Sequence, residues 1–146
     1  MERFVWKDSF NIGVAEIDEQ HKLFLEYVNE CQNASCSNSR SQVTGATIWD
    51  LKTYAATHFR FEEELMKEAG YPDLAKHMQL HAYFELRVEE LEKAHARGSK
   101  NTVESLLHFL QDWFLRHILE HDKKLALFCR SQRPGVKKKV ASSQIP

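Results

Sequence analysis

Apolar residues recur at three- and four-residue intervals through four long stretches of this 146-residue chain. The four stripes start near Ile17, Ile48, Leu74 and Val103. This spacing is typical of amphipathic helices that each bury one face. The chain holds only five glycines and three prolines, and no stretch alternates with a period of two for long enough to form a sheet. The sequence therefore predicts an all-α protein.

Breaks between the stripes predict how the helices connect. A polar loop covers residues 33–41, Gly70-Tyr71-Pro72 separates the second and third helices, and Gly98-Ser99 separates the third and fourth. Ser39 with Gln42, and Asn101 with Glu104, have the spacing of helix-capping pairs. Because short connections join antiparallel neighbours, we predict an up-down-up-down four-helix bundle.

The same breaks define the predicted domain organisation. Residues 1–130 are predicted to form one domain. It begins with an N-terminal arm, whose Trp6, Phe10 and Ile12 pack against the bundle that follows. Residues 131–146, with Lys137–Lys139, form a flexible basic tail.

Composition narrows the classes of function. The net charge is −1, which predicts no nucleic-acid partner. No apolar run approaches the roughly 18–20 residues needed to cross a bilayer, and the first residues do not resemble a signal peptide. The three cysteines are too few and too scattered for a disulfide framework, which favours a reducing compartment. We expect a cytoplasmic protein without membrane insertion, with a monomer favoured.

Polar side chains occupy positions inside the predicted apolar stripes, and every helix contributes at least one. One buried histidine is usually just a hydrogen-bonded core residue, but a buried carboxylate is costly unless it is paired or bound to metal. Five histidines and a carboxylate spread over all four helices are hard to explain as core residues. These residues are His21, His58, Glu62, His77, His81 and His117.

The positions of these residues relative to the breaks place them at one height in the bundle. Two residues of an antiparallel helix pair meet when they are equidistant from the turn. His58 and His81 are centred on the second break, as are Glu62 and His77. His21 and His58 are centred on the polar loop, and His81 and His117 on Ser99. At about 1.5 Å rise per residue, all six are expected within one helical turn of one another.

The residue types predict a site for two metal ions. Imidazole suits iron, zinc, copper and nickel, and five imidazoles exceed what one tetrahedral zinc needs. His58 with Glu62, and His77 with His81, are four residues apart and share a helix face. In the fourth helix, spacing favours His121 as the partner of His117, whereas Asp122 is five residues away and needs a locally wider turn. Spacing alone leaves these alternatives open.

The ordered set of motifs resembles the hemerythrin family, over a span from about Val5 to about Cys129. All seven ligand positions of the family pattern are filled, and the resemblance selects Asp122 rather than His121. The resemblance is carried by Trp6, Phe10-Asn11-Ile12-Gly13, Ile17-Asp18-Glu19-Gln20-His21, His58 with Glu62, His77 with His81, and His117 with Asp122.

The resemblance implies a centre of two non-haem irons. One iron is held by His77, His81 and His117, and the other, with an open position for dioxygen, by His21 and His58. Glu62 and Asp122 bridge the irons together with a solvent-derived oxo or hydroxo group. Apolar residues are expected to line the oxygen pocket: Phe59, Trp113, Leu115 and Ile118.

The implied function is reversible dioxygen binding for carriage, storage, delivery or sensing, without enzymatic turnover. Two anionic ligands support highly oxidised iron less than the four carboxylates of ferritin-like centres do. The alternatives are a di-iron oxidase or peroxidase, or a protein that handles nitric oxide, on the same site. Iron storage is a weaker alternative, because the predicted core offers no mineral cavity. Whether a partner protein receives the oxygen is left open.

Overall fold

The computed structural model describes residues 3–36, 38 and 40–132, and within them it contains helices and no strand. A short 3-10 turn at Asp8–Phe10 precedes the bundle. The first three helices are α1 (Ala15–Ala34), α2 (Arg40–Ala69) and α3 (Leu74–Ala96). The fourth rod is continuous and consists of α4 (Thr102–Trp113), a π-helix (Phe114–Asp122) and α5 (Lys123–Gln132). The predicted all-α architecture is confirmed.

The four rods pack as a closed antiparallel bundle. Helix α1 contacts α2 and α4, and α3 contacts α2 and α4, so each rod lies against both of its neighbours. This is the predicted up-down-up-down arrangement. Within the described part of the chain, none of these helices is both long enough and apolar enough to cross a membrane.

Glycines with positive φ end α2 and α3 where the breaks were predicted. Gly70 has φ +67° and Gly98 has φ +81°. The Tyr71 amide donates to the Met66 carbonyl at 2.9 Å, and the Ser99 amide donates to the Ala94 carbonyl at 3.0 Å. These bonds define Schellman caps, whose left-handed residue favours glycine. The caps fix the turn positions on which the height of the polar layer depends.

Neither predicted helix-capping pair is confirmed. Asn101 precedes α4 at the cap position, but its side chain makes no capping hydrogen bond, so that prediction is wrong. Glu104 instead forms an ion pair with Arg40 across the bundle end. The proposed cap at Ser39 lies outside the described residues. The predicted tail begins at residue 131, and its first two residues form the end of α5. The rest of the predicted tail lies outside the described residues.

Hydrogen bonds fasten the N-terminal arm to α1. The buried Asp18 carboxylate accepts from the amides of Ile12 at 2.7 Å and Gly13 at 3.2 Å. The Asn29 side chain exchanges two hydrogen bonds with the backbone of Phe4, at 2.8 and 2.9 Å. Ile12 is buried, and Trp6 and Phe10 pack against the core as predicted.

A layer of polar side chains lies between two apolar clusters in the core. The larger cluster includes Phe24, Leu51, Phe84 and Leu110, and the smaller includes Ile17, Leu65, Met66, Leu125 and Cys129. The bundle thus encloses the polar layer from above and below, and water is kept from it on both sides.

Candidate metal centre

The polar layer contains the seven side chains that the sequence singled out. Each is at most 3% exposed, and all four helical rods contribute. Helix α1 supplies one, α2 and α3 supply two each, and the π-helix supplies two. The members of this layer are His21, His58, Glu62, His77, His81, His117 and Asp122.

The donor atoms of this layer form two groups that share both carboxylates. The first group combines Glu62 and Asp122 with the imidazoles of α3 and the π-helix, and the second combines the same carboxylates with His21 and His58. Within each group, one ligand atom per residue lies within 4.8 Å of all the others. Two adjacent cation positions bridged by two carboxylates have this arrangement.

Distances within the layer are short, but the atoms are not arranged as a hydrogen-bond network. Nε2 of His21 lies 3.0 Å from Oδ2 of Asp122, and Nε2 of both His77 and His117 lies 3.1 Å from Oδ1. Yet these nitrogens, and both oxygens of Asp122 and of Glu62, make no hydrogen bond. Unsatisfied polar atoms at full burial are costly. Donor atoms that converge without hydrogen bonds among them are suited to metal ions, so the residues fit a metal centre.

The π-helix resolves the ambiguity of the fourth rod. Its i→i+5 geometry brings residues five apart onto one face, so His117 and Asp122 both point into the layer. His121 belongs to neither donor group and is only partly buried. Its ring centroid lies 5.6 Å from that of His117. The local wide turn considered from the sequence is present.

Electrostatics in the layer favour anionic carboxylates. Burial raises the pKa of Glu62, but the imidazoles of His58, His77 and His81 outweigh it and hold that pKa well below its usual range. Asp122 follows the same pattern, since its imidazole neighbours outweigh burial and lower its pKa. Burial lowers the pKa of His77, yet the nearby carboxylates of Asp122 and Glu62 together outweigh burial and raise it to about 10. Two buried negative charges therefore require positive charge beside them, which protons or metal ions can supply.

Two side chains outside the layer orient its histidines, and the sequence analysis missed both. The Nδ1 atom of His58 lies 2.5 Å from the amide oxygen of Gln20, and Nδ1 of His81 lies 3.1 Å from a carboxylate oxygen of Glu63. Each contact directs Nε2 of the histidine into the layer. Such partners fix the tautomer and orientation of metal-binding imidazoles. The sequence offers one indication of this role, since Gln20 is next to His21 and Glu63 is next to Glu62.

Flat aromatic rings cover three of the histidines. Phe59 stacks on His81 with centroids 3.9 Å apart, and Trp113 stacks on His117 at 4.0 Å. Tyr54 stacks on His58 at 5.0 Å. Tyr54 lies four residues before His58 on the same face of α2, which places its ring against the imidazole.

The four residues expected to line an oxygen pocket do not share one environment. Phe59, Trp113 and Ile118 are buried in the larger apolar cluster beside the layer. Leu115 is 58% exposed and lines a surface cavity of about 120 Å³ with residues that include Phe4. Residues two apart in a helix face nearly opposite directions, so Leu115 points away when His117 points inward. Leu115 therefore lies outside the buried environment that the other three residues share.

Fold and site together define a four-helix bundle with a buried cation-binding centre. The family model for the hemerythrin HHE cation binding domain matches residues 12–128. The chain belongs to the hemerythrin family.

Several known proteins are similar to this chain. A bacteriohemerythrin of Stenotrophomonas maltophilia is 38% identical over 126 residues, which cover 86% of this chain and 81% of that protein. A bacteriohemerythrin of Pseudomonas aeruginosa is 32% identical over 122 residues, covering 84% and 78%. A crystal structure of wild-type hemerythrin matches with a TM-score of 0.78 at 27% identity, covering 88% of this chain and 98% of the other.

Proposed function

We propose that this protein binds dioxygen reversibly at a centre of two non-haem irons and acts as a carrier or store rather than an enzyme. The observation that supports it best is the division of the buried donors into two groups that share both carboxylates. Membership of the hemerythrin family supports iron as the metal and dioxygen as its ligand.

The donor groups suggest which residues hold each iron. One iron would be bound by His77, His81 and His117. With both carboxylates, these residues would fill five of its coordination positions. His21 and His58 would bind the other, which has fewer protein donors and so retains a place for dioxygen. Glu62 and Asp122 would bridge the two, with an oxo or hydroxo group completing the bridge. Imidazole-rich donor sets suit iron, and their number exceeds that of a closed zinc site.

The reduced irons would supply the electrons that bind dioxygen, and the chain's own residues set the conditions. Gln20 and Glu63 hold the imidazole rings of His58 and His81 in place. Phe59, Trp113 and Ile118 place apolar surface beside the layer and exclude water from it. A dry site limits the supply of protons that would drive bound oxygen onward to other products.

The ligand count favours binding over oxidation chemistry. Ferritin-like di-iron sites use four carboxylates and two histidines. The layer here offers two carboxylates and five histidines. Lower negative charge stabilises highly oxidised iron less, so cleavage of the O–O bond is less supported. We also propose a cytoplasmic location, since Cys31, Cys36 and Cys129 are free thiols, as is usual in a reducing compartment. A monomer is proposed as the oligomeric state.

The test is a cycle of oxygen exposure. Iron-loaded protein is reduced without air, exposed to oxygen and then purged with argon, while the visible charge-transfer bands are recorded. We expect bands that appear with oxygen, disappear on purging and return in later cycles. Bands that stay after purging, or steady consumption of added reductant, would contradict reversible binding and favour an oxidase.

Two neighbouring substitutions test the ligand assignment. Asp122→Ala removes a proposed bridge, so we expect iron content to fall below two per chain. His121→Ala is the matched control, because His121 lies beside the layer but in neither donor group. Equal iron loss in both variants would overturn the assignment of Asp122.

A further inference from the structure

Two tyrosines connect the candidate metal centre to the protein surface. Tyr54 is buried and stacks on His58, with centroids 5.0 Å apart and planes inclined by 15°. Tyr27 follows on α1, with its ring centroid 6.1 Å from that of Tyr54. Tyr27 is only partly buried at the edge of the core. The ring sequence His58, Tyr54, Tyr27 therefore runs from a proposed ligand to solvent in two short steps.

The surroundings of Tyr27 suit the loss of an electron. A phenol gives up an electron readily only when its proton can leave at the same time. Burial raises the pKa of Tyr27, and the nearby carboxylates of Asp50 and Glu30 raise it further. Because Tyr27 is only partly buried, its phenolic proton can leave to solvent when the ring is oxidised, and the nearby negative charges favour the loss of an electron from the ring.

We propose that Tyr54 and Tyr27 form an electron path that discharges to the surface the oxidising equivalents which hydrogen peroxide leaves at the centre. The inference rests on the proposed function, because it needs a redox-active metal in the layer. Because the ligand set supports O–O cleavage less, the reduction of hydrogen peroxide at the centre is a slow side reaction. Each hydrogen peroxide takes two electrons from the path and two protons from solvent and gives two waters. In the oxidised protein the path delivers these electrons one at a time.

Each passage draws on the phenol of Tyr27 and is balanced in electrons and protons. Tyr54 gives one electron to the centre and takes one from Tyr27, so Tyr54 ends the step unchanged. Tyr27 releases its phenolic proton to solvent at the same time, which leaves a neutral tyrosyl radical. A surface reductant such as ascorbate returns an electron and a proton to Tyr27 before the second passage. The path thereby spares the ligand histidines from oxidation.

A second chain of rings provides an internal comparison. Trp113 stacks on His117, and Phe109 lies 6.2 Å from Trp113 and 6.1 Å from the exposed Tyr83. Phenylalanine is far harder to oxidise than tyrosine or tryptophan, so Phe109 interrupts electron transfer along this series of rings. Tyr83 is thus a surface tyrosine near the bundle core without a continuous path of oxidisable rings.

The experiment treats air-oxidised, iron-loaded protein with hydrogen peroxide, with and without a nitroso spin trap. Electron paramagnetic resonance detects tyrosyl radicals, and mass spectrometry of the trapped adduct locates them. Tyr54→Phe and Tyr27→Phe interrupt the path, and Tyr83→Phe is the matched control. Zinc-loaded protein controls for direct attack by peroxide. Iron content and the charge-transfer bands are measured for every variant, so loss of the centre is distinguished from loss of the path.

We expect the adduct on Tyr27 in the unmodified protein and in Tyr83→Phe, and none with zinc. Tyr54→Phe should lower the Tyr27 adduct by at least about tenfold, because the substituted ring raises the barrier to transfer. Tyr27→Phe should abolish the adduct while iron content stays normal. An adduct on Tyr83, or a Tyr27 adduct that Tyr54→Phe leaves unchanged, would overturn the inference. Absence of iron or of reversible bands in the unmodified protein would instead refute the proposed function.

Discussion

Replacing Glu63 by glutamine tests how far the metal centre depends on a residue outside the polar layer. The Glu63 carboxylate lies 3.1 Å from Nδ1 of His81, and its side chain is partly exposed. Glutamine offers an amide oxygen at the same position, so the hydrogen bond to the imidazole is retained. The substitution therefore removes chiefly the negative charge of Glu63. That charge raises the basicity of the His81 imidazole and makes it a stronger metal ligand.

The expected magnitude follows from the role of such partners. Loss of a side chain that orients a metal-binding histidine typically lowers metal affinity by about 10- to 100-fold. Since Glu63→Gln keeps the hydrogen bond, we expect about tenfold, equivalent to about 1.4 kcal/mol. Glu63→Ala removes both charge and hydrogen bond, so it should approach the upper end, about 2.7 kcal/mol.

Competition with a chelator of known affinity measures these effects, with ferrous iron under anaerobic conditions. The matched control is Glu64→Gln, which removes the same charge from an exposed neighbour on α2. We expect unchanged affinity in the control and a graded loss from glutamine to alanine at position 63. Equal affinities for the position-63 and position-64 variants would refute the argument that Glu63 supports the centre through His81.

Three further predictions concern positions away from the layer. Gly13→Ala should destabilise the fold by about 1–3 kcal/mol in urea unfolding, because Gly13 has φ +97° and the Arg130 guanidinium occupies the space a Cβ would need. In the native protein, the thiol reagent DTNB should label the exposed Cys36 rapidly but Cys31 only after denaturation, since burial raises the pKa of Cys31 to about 12. Leu115→Ala should leave the oxygen-release rate in stopped-flow unchanged, because that side chain faces solvent.

The sequence was sufficient to predict the bundle and the height of its polar layer. Helical spacing identified the rods, and Gly70 and Gly98 marked the turns that the structure closes with Schellman caps. Antiparallel geometry then converts positions along the chain into heights, so residues distant in sequence could be placed in one layer. This reasoning succeeds because the polar residues lie on helices whose ends are fixed independently.

Side-chain contacts outside that layer could not be predicted in the same way. Leu115 is close to His117 in sequence, but direction around a helix, rather than proximity along it, decides which residues share an environment. The capping prediction at Asn101 failed because the Asn101 side chain makes no capping hydrogen bond, and Glu104 pairs with Arg40 from another helix. Gln20 and Glu63 resemble ordinary surface residues until the fold brings His58 and His81 beside them.

The π-helix links the fold most directly to the site. An α-helix would have turned His121 toward the layer and left only one carboxylate, Glu62, among the buried donors. By widening the turn, Phe114–Asp122 brings in a second carboxylate, and the two donor groups come to share both anions. Such wide turns are rare and are found most often at functional sites. A segment that served packing alone would have no reason to give up regular α-helical hydrogen bonding at the level of the polar layer, so its location supports selection for a two-metal centre.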